Sequence, residues 1–151
     1  MLEKQLQMTV LMTPDKANFS GKVHGGAMLK LLDEVAYACA SRYSGSYCVT
    51  LSVDRVVFKS AVNVGDLVTF LATVNYTGKT SMEVGVKVVA EDIKARNCRH
   101  TNTCYFTMVA LDDEGRPAAV PPLAPETDEE RRRFEAAKRR RELRMEAEEQ
   151  R

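Results

Sequence analysis

An α+β fold, an antiparallel β-sheet wrapped around one long central helix, is predicted by three features of this sequence. The first is a single helical stripe: Met28, Leu31, Leu32, Val35, Ala36 and Cys39 recur at i, i+3, i+4, i+7, i+8 and i+11. It predicts a helix from about Gly25 to Tyr43, stopped by Gly45. The second is a set of runs rich in β-branched residues, Tyr47–Phe58, Leu67–Tyr76, Ser81–Ala90 and Cys98–Leu111, which read as strands. The third is the turn chemistry of Asn63-Val64-Gly65-Asp66, Thr77-Gly78-Lys79 and Asp112-Asp113-Glu114-Gly115, which joins antiparallel neighbours or ends a strand. Residues 2–13 alternate loosely before Thr13-Pro14-Asp15 and make a further strand. In the Tyr47–Phe58 run Val49, Leu51, Val53 and Val57 share a face with Arg55, so alternation leaves the buried face open.

Prolines 117, 121, 122 and 125 form an extended connector, because proline cannot donate to a ladder and disfavours helix just before it. The compact domain is therefore expected over residues 1–125. Residues 126–151 carry nine acidic and nine basic side chains and open with Thr127-Asp128-Glu129-Glu130, a capping-box pattern. They are expected to form a charged helix packing on the domain or extending from it.

With 151 residues, 44% of them hydrophobic, the chain is long enough for one domain with a sizeable core. No run approaches the ~18 uninterrupted apolar residues of a membrane span. The N-terminus lacks the basic start, apolar run and cleavage site of a signal peptide, so the expected location is the cytoplasm. A net charge of +1 gives no reason to expect nucleic acid or a membrane surface as partner. Cys39, Cys48, Cys98 and Cys104 form no Cys-x-x-Cys pair and are expected to be reduced core residues. Two histidines, His24 and His100, do not support a metal site, and none is expected.

The chemistry-bearing candidates gather around the helix entrance. Gly25-Gly26 would let a ligand approach the backbone, and the first helical amides, lacking internal partners, suit a carbonyl oxygen that gains charge during attack. Equally, two glycines there can serve only to pack the helix on the sheet. Asp33, two turns further on, sits to one side of the apolar stripe, where a carboxylate can activate water or attack a thioester, or can simply be solvated. Glu34 is its neighbouring rival, about 100° further round. Asn18 can hold a water or a carbonyl, or cap its own loop. His24 is a possible base but also an ordinary helix-entry residue. The segment Thr77-Gly78-Lys79-Thr80-Ser81 combines a turn glycine, a cation and hydroxyls suited to phosphate, without Walker-loop spacing. The arginines of 131–133 and 139–141 can bind phosphate or form a solvated helix face.

Several separated motifs, in order, resemble the acyl-CoA hydrolases of the hotdog superfamily, both the bacterial short enzymes and the repeats of the vertebrate cytosolic brain-type enzyme. They are Ala17-Asn18 through Val23-His24-Gly25-Gly26, Leu29 through Ala36, Thr50-Leu51-Ser52-Val53-Asp54, Gly78 through Glu83, Cys104 through Val109, and the connector Pro121 to Thr127. The resemblance spans nearly the whole chain. It implies a five-stranded hotdog sheet and an enzyme that converts acyl-CoA and water to coenzyme A and a fatty acid, without a metal or redox cofactor. It also implies a homodimer joined edge to edge, assembled as a trimer of dimers. Carried over residue by residue, Asp33 acts as general base or nucleophile, Asn18 of the partner subunit faces it, and Gly25 and Gly26 polarise the thioester carbonyl. His24, Lys79, Thr80, Ser81 and Arg139 are expected on the substrate side. The alternative outcomes are a hotdog module that binds acyl-CoA without turnover and, less in keeping with a single nearby histidine, a dehydratase.

Overall fold

Helix formation over 25–44 follows from its two ends and one stripe. The computed structural model describes residues 2–150, and in it α1 (Gly25–Ser44) starts at an N-cap, His24, and ends at Gly45, whose left-handed backbone (φ 71°) lets its N–H reach the Ser41 carbonyl. Between them Met28, Leu32, Val35, Ala36, Cys39, Ala40 and Tyr43 are buried, the predicted stripe continued by one more turn, with Leu31 only partly buried at its margin. The strands are β1 (Gln5–Leu11), β2 (Tyr47–Asp54), β3 (Leu67–Thr77), β4 (Ser81–Asp92) and β5 (Asn97–Leu111), with α2 (Asp128–Glu149) closing the order. They form one antiparallel sheet in the order β1-β3-β4-β5-β2.

The core is the face that this sheet turns to α1. Val68, Phe70, Ala72 and Val74 of β3, Val84, Val86, Val88 and Ala90 of β4, and Cys104, Phe106, Met108 and Ala110 of β5 alternate inward and are buried. Each large side chain so covered contributes about 1.5–3 kcal/mol. The central strands thus hold the helix, and the edge strands have less to bury.

Edge strand β2 departs from expectation. It was predicted to run to Phe58 but stops at Asp54, because Arg55 adopts a left-handed backbone (φ 59°) that leaves the ladder. A register shift between Thr50 and Ser52 also breaks the alternation, so neither face of β2 is uniformly covered. Leu51 is 68% exposed, and Val53, Val57 and Phe58 are exposed as well. Strand β1 is likewise shorter than the 2–13 read from sequence.

The charged helix α2 has almost no apolar face, and ion pairs dock it on the outer side of the sheet. Arg140 makes a two-pronged contact with Glu83, Nε to Oε1 at 2.7 Å and Nη2 to Oε2 at 2.9 Å, while its guanidinium lies 3.7 Å from the Tyr105 ring centroid. Glu83 is only 6% exposed and takes a third bond from Asn75 Nδ2 at 3.0 Å. The strand glycine Gly85 makes room for this: a Cβ there would lie 2.6 Å from Asn75 Nδ2. Arg144 to Asp54 (2.9 Å), Lys4 to Glu130 (2.8 Å) and the Tyr76–Phe134 ring pair complete the docking. Thr127 caps the helix as its sequence pattern predicts, accepting from the Glu130 amide at 3.0 Å.

Among the cysteines, Cys39, Cys48 and Cys104 are buried and free, whereas Cys98 is exposed at the start of β5 and is not a core residue. Burial pushes the Cys39 and Cys104 thiols up to about 12. An aromatic disulfide reagent at neutral pH is therefore expected to label Cys98 in the native protein and the other three only after unfolding. Since only the unfolded chain ionises these two thiols above their ordinary value of 9.0, stability is expected to fall from there towards about pH 12. Replacing Arg140 by Ala leaves Glu83 buried without its cation; because Arg140 itself is 25% exposed, the expected loss is about 2–4 kcal/mol in urea unfolding.

Candidate functional site

Asp33 projects from the exposed flank of α1 towards β2, and the fold ties it down. The Thr50 hydroxyl donates to Asp33 Oδ1 at 2.5 Å. Thr50 lies opposite Met108 in the β2–β5 ladder, so its direction is set by the sheet. The pair opens on a shallow groove of about 370 Å³ lined by Asp33, Glu34, Tyr37, Tyr47, Val49 and Thr50. The Tyr37 and Tyr47 rings meet edge to face at 5.9 Å on its rim. Glu34 lines the same groove, but the carboxylate held by the hydroxyl is that of Asp33. With Oδ1 bonded, Oδ2 is the oxygen left to a water. The sequence did not single out Thr50 as a partner of Asp33; its only signal was a hydroxyl inside the Thr50-Leu51-Ser52-Val53-Asp54 run.

About 12 Å of helix separates Asp33 from the entrance at Gly25. There Asn18 does cap its loop: Oδ1 accepts from the Ser20 amide (2.9 Å), the Ser20 hydroxyl (2.7 Å) and the Lys22 amide (3.2 Å). Two of those donors are backbone N–H groups, which fixes the oxygen towards the loop and turns Nδ2 outward as a donor. The loop reading of Asn18 is met by Oδ1, and Nδ2 has no part in that cap. His24 is the helix cap: its Nδ1 accepts from the Gly26 amide at 2.8 Å, leaving Nε2 to carry the proton and face outward. The Gly26 amide is thus engaged within the chain, and the first-turn amides without a helical or capping partner are those of Gly25 and Ala27.

The two glycines also have different reasons. A Cβ at Gly26 would lie 3.0 Å from the His24 ring, so any larger residue there crowds the cap. A Cβ at Gly25 would meet only Phe58, at an ordinary 3.8 Å, and its φ is not left-handed. Packing within the chain therefore does not require glycine at 25.

The Thr77–Ser81 segment is a tight hairpin, with the Gly78 amide donating to the Ser81 carbonyl at 2.8 Å. Lys79 is exposed, and Thr80 and Ser81 are half-buried. Ser81 shares a ladder row with Val109 and, across it, Val49 of the groove, about 10 Å away over two strand spacings. Arg139 is not drawn to this turn: it is 63% exposed and reaches only Glu142, at 3.5 Å. The helix residue that does approach is Arg141, whose Nη1 bonds the Tyr76 hydroxyl at 3.3 Å and sits where a side chain at Gly78 would begin, 2.7 Å from the place of its Cβ. Among the described residues no group of three His, Cys, Asp or Glu side chains is arranged to hold a metal.

The profile of the thioesterase superfamily matches residues 20–96, half of the chain, beginning two residues after Asn18 and taking in the Asp33 helix and the Thr50 strand. The chain belongs to the thioesterase superfamily. Within it, protein VdlD of Helicobacter pylori is 53% identical over 140 residues, covering 93% of this chain and 80% of that protein. The cytosolic acyl coenzyme A thioester hydrolase of Rattus norvegicus is 36% identical over 89% of this chain and 36% of its own length. Among solved structures, an apo hexameric acyl-CoA thioesterase is 38% identical and superposes with a TM-score of 0.90 over 95% of this chain and 92% of that one. The acyl-CoA hydrolase of Staphylococcus aureus, solved with butyryl coenzyme A, coenzyme A and coenzyme A disulfide, is 32% identical with a TM-score of 0.84, over 97% and 92% of the two chains. That enzyme has also been solved with alanine replacing one asparagine, one aspartate and one threonine, at positions separated by the same intervals as Asn18, Asp33 and Thr50. The thioesterase fold and family resemblance read from the sequence thus hold.

The separate roles of the two glycines are open to test by thermal unfolding. Gly25→Ala is expected to raise stability by up to ~1 kcal/mol of helix propensity, whereas Gly26→Ala loses about as much through the displaced cap.

Proposed function

We propose that this chain is an acyl-CoA thioester hydrolase whose active sites are completed across a subunit interface. The observation that carries the reading is the Asp33–Thr50 pair in an open groove, in a chain that keeps an asparagine, an aspartate and a threonine at the intervals altered in the staphylococcal acyl-CoA hydrolase. In the proposed reaction Oδ2 of Asp33 takes a proton from water while the water oxygen attacks the thioester carbon. The carbonyl oxygen gains the negative charge and is met by the amides of Gly25 and Ala27 and by Asn18 Nδ2. Collapse of that intermediate breaks the C–S bond, and the proton held by Asp33 passes to the departing thiolate. Thr50 keeps the carboxylate aimed throughout. Every step draws on water and protein groups, so the reaction is proposed to need no metal or redox cofactor.

The interface is supported by what a single chain leaves uncovered. Phe19, beside Asn18, is fully exposed, and Leu29, Tyr47, Leu51, Val57 and Phe58 are exposed around the helix entrance and the open β2 edge. Pairing two such edges covers these side chains and brings Asn18 of one subunit towards Asp33 of the other. A trimer of such dimers accords with the hexameric relative. A cytosolic setting accords with the rat enzyme's name, and no helix among the described residues is long and apolar enough to cross a membrane.

The purified protein is expected to release thiol from acyl-CoA, with Asp33→Ala lowering turnover by about two to four orders of magnitude while the oligomer persists on light scattering. Binding of acyl-CoA without thiol release would instead favour a sensing module. Mixing unfolded Asn18→Ala and Asp33→Ala chains and refolding them together should restore about a quarter of wild-type activity, because half the dimers then carry one intact composite site; a mixture as inactive as its parents would place both residues in one chain's site. A single turnover in heavy-oxygen water should put the label in the fatty acid alone; label in the Asp33 carboxyl would mean that Asp33 attacks the carbon itself.

A further inference from the structure

Four glycines, 21, 45, 65 and 115, occupy left-handed positions, and two arginines, Arg55 and Arg96, do the same. Arg96 lies at the tip of the β4–β5 hairpin, where the short connection between Asp92 and Asn97 demands that sign. Arg55 lies in no such turn: it ends β2 and swings the chain so that Phe58 reaches Gly25 and the Lys59 amide bonds the Thr101 carbonyl at 3.0 Å. The kink is required by the fold, yet glycine or asparagine would supply it with less strain. The arginine must then be there for its side chain. That side chain is exposed. The adjacent carboxylate, Asp54, is already bonded by Arg144 at 2.9 Å and does not account for it. Lys59, four residues on, is a second exposed cation on the same kinked segment.

Both flank Phe58, which packs beside the helix entrance. We infer that Arg55, seconded by Lys59, clamps the phosphates of the substrate's nucleotide end. This rests on the acyl-CoA reading above and specifies which residues hold that part of the molecule. The span is suitable. From the thioester sulfur to the first phosphorus the pantetheine arm runs about thirteen bonds, ~15 Å when extended, while Arg55 is at most ~10 Å along the chain from Phe58 and adds the length of its own side chain. A planar guanidinium matches a diphosphate in two-pronged fashion, and a flexible ammonium suits a second, less fixed phosphate. The assignment differs from the expected one, in which the hairpin Lys79–Ser81 and Arg139 meet the phosphates.

The test compares acyl-CoA with the matching acyl-N-acetylcysteamine thioester, which keeps the scissile bond and lacks every phosphate. Arg55→Gly, and Arg55→Asn as a second residue that accepts the left-handed backbone, should melt no lower than wild type. Each should lower the ratio of kcat/KM for acyl-CoA to that for the short thioester on the order of tenfold, through KM, as expected for one charge-assisted phosphate contact. Calorimetry should show coenzyme A itself bound about tenfold more weakly by either variant, and Lys59→Ala should weaken it by a smaller factor. Unchanged coenzyme A affinity in the Arg55 variants, equal losses on both substrates, or no binding of coenzyme A by the wild type would each overturn the assignment. Calorimetry separates this from the proposed reaction: arginine-dependent binding without thiol release would sink the hydrolase reading and keep the clamp.

Discussion

Burial of α1 against one face of the sheet is the constraint from which the rest of the molecule follows. Leu32, Val35 and Ala36 are fully covered by inward side chains from β3, β4 and β5, so the helix has a single rotational setting. That setting decides what remains on its other flank. Asp33 emerges towards β2 and Thr50, and Gly25 towards Phe58. The candidate site residues are placed by a stripe that has no chemistry of its own.

The outer face of the sheet is organised on a different principle. No apolar stripe holds α2; a buried carboxylate on β4 receives Arg140, and further pairs fix the helix at either end. Partly buried charge pairs of this kind add less net stability than the apolar core does, but the one built on the buried Glu83 tolerates little variation in geometry, since that carboxylate left alone would be costly. The helix is thereby positioned rather than merely attached. Arg141 beside Gly78 and Arg144 beside the end of β2 are consequences of that placement.

Much of this was legible in the sequence, for a physical reason. The helix stripe and the strand runs are periodic signals written over ten or more residues, and the cap pattern at Thr127 and the stop at Gly45 are local chemistry with few alternatives. What was not legible depended on contacts between distant segments. Nothing in the order of residues says that Thr50 faces Asp33, since that requires the register of β2 against β5 and the shift beside Leu51. The early end of β2 at Arg55 contradicts the preference of its valines for strand, and only the backbone angle reveals it. Arg139 and Arg141 are indistinguishable in a basic run until the helix is docked and its rotation known. The family likeness named Asn18 and Asp33, while the loop cap made by the Asn18 oxygen needed atoms.

Gly85 shows how far a small change can travel. A methyl group there would collide with Asn75, the amide that supports Glu83, and through Glu83 it would disturb the arginine that seats α2. A position that looks free to vary, a glycine in the middle of a strand with no ligand near it, is thus bound to the fate of a helix more than 40 residues away in sequence. Drift at Gly85 is therefore conditional: a larger residue there can persist only in a lineage that has first given up the carboxylate on β4, and with it the charged seat of the last helix.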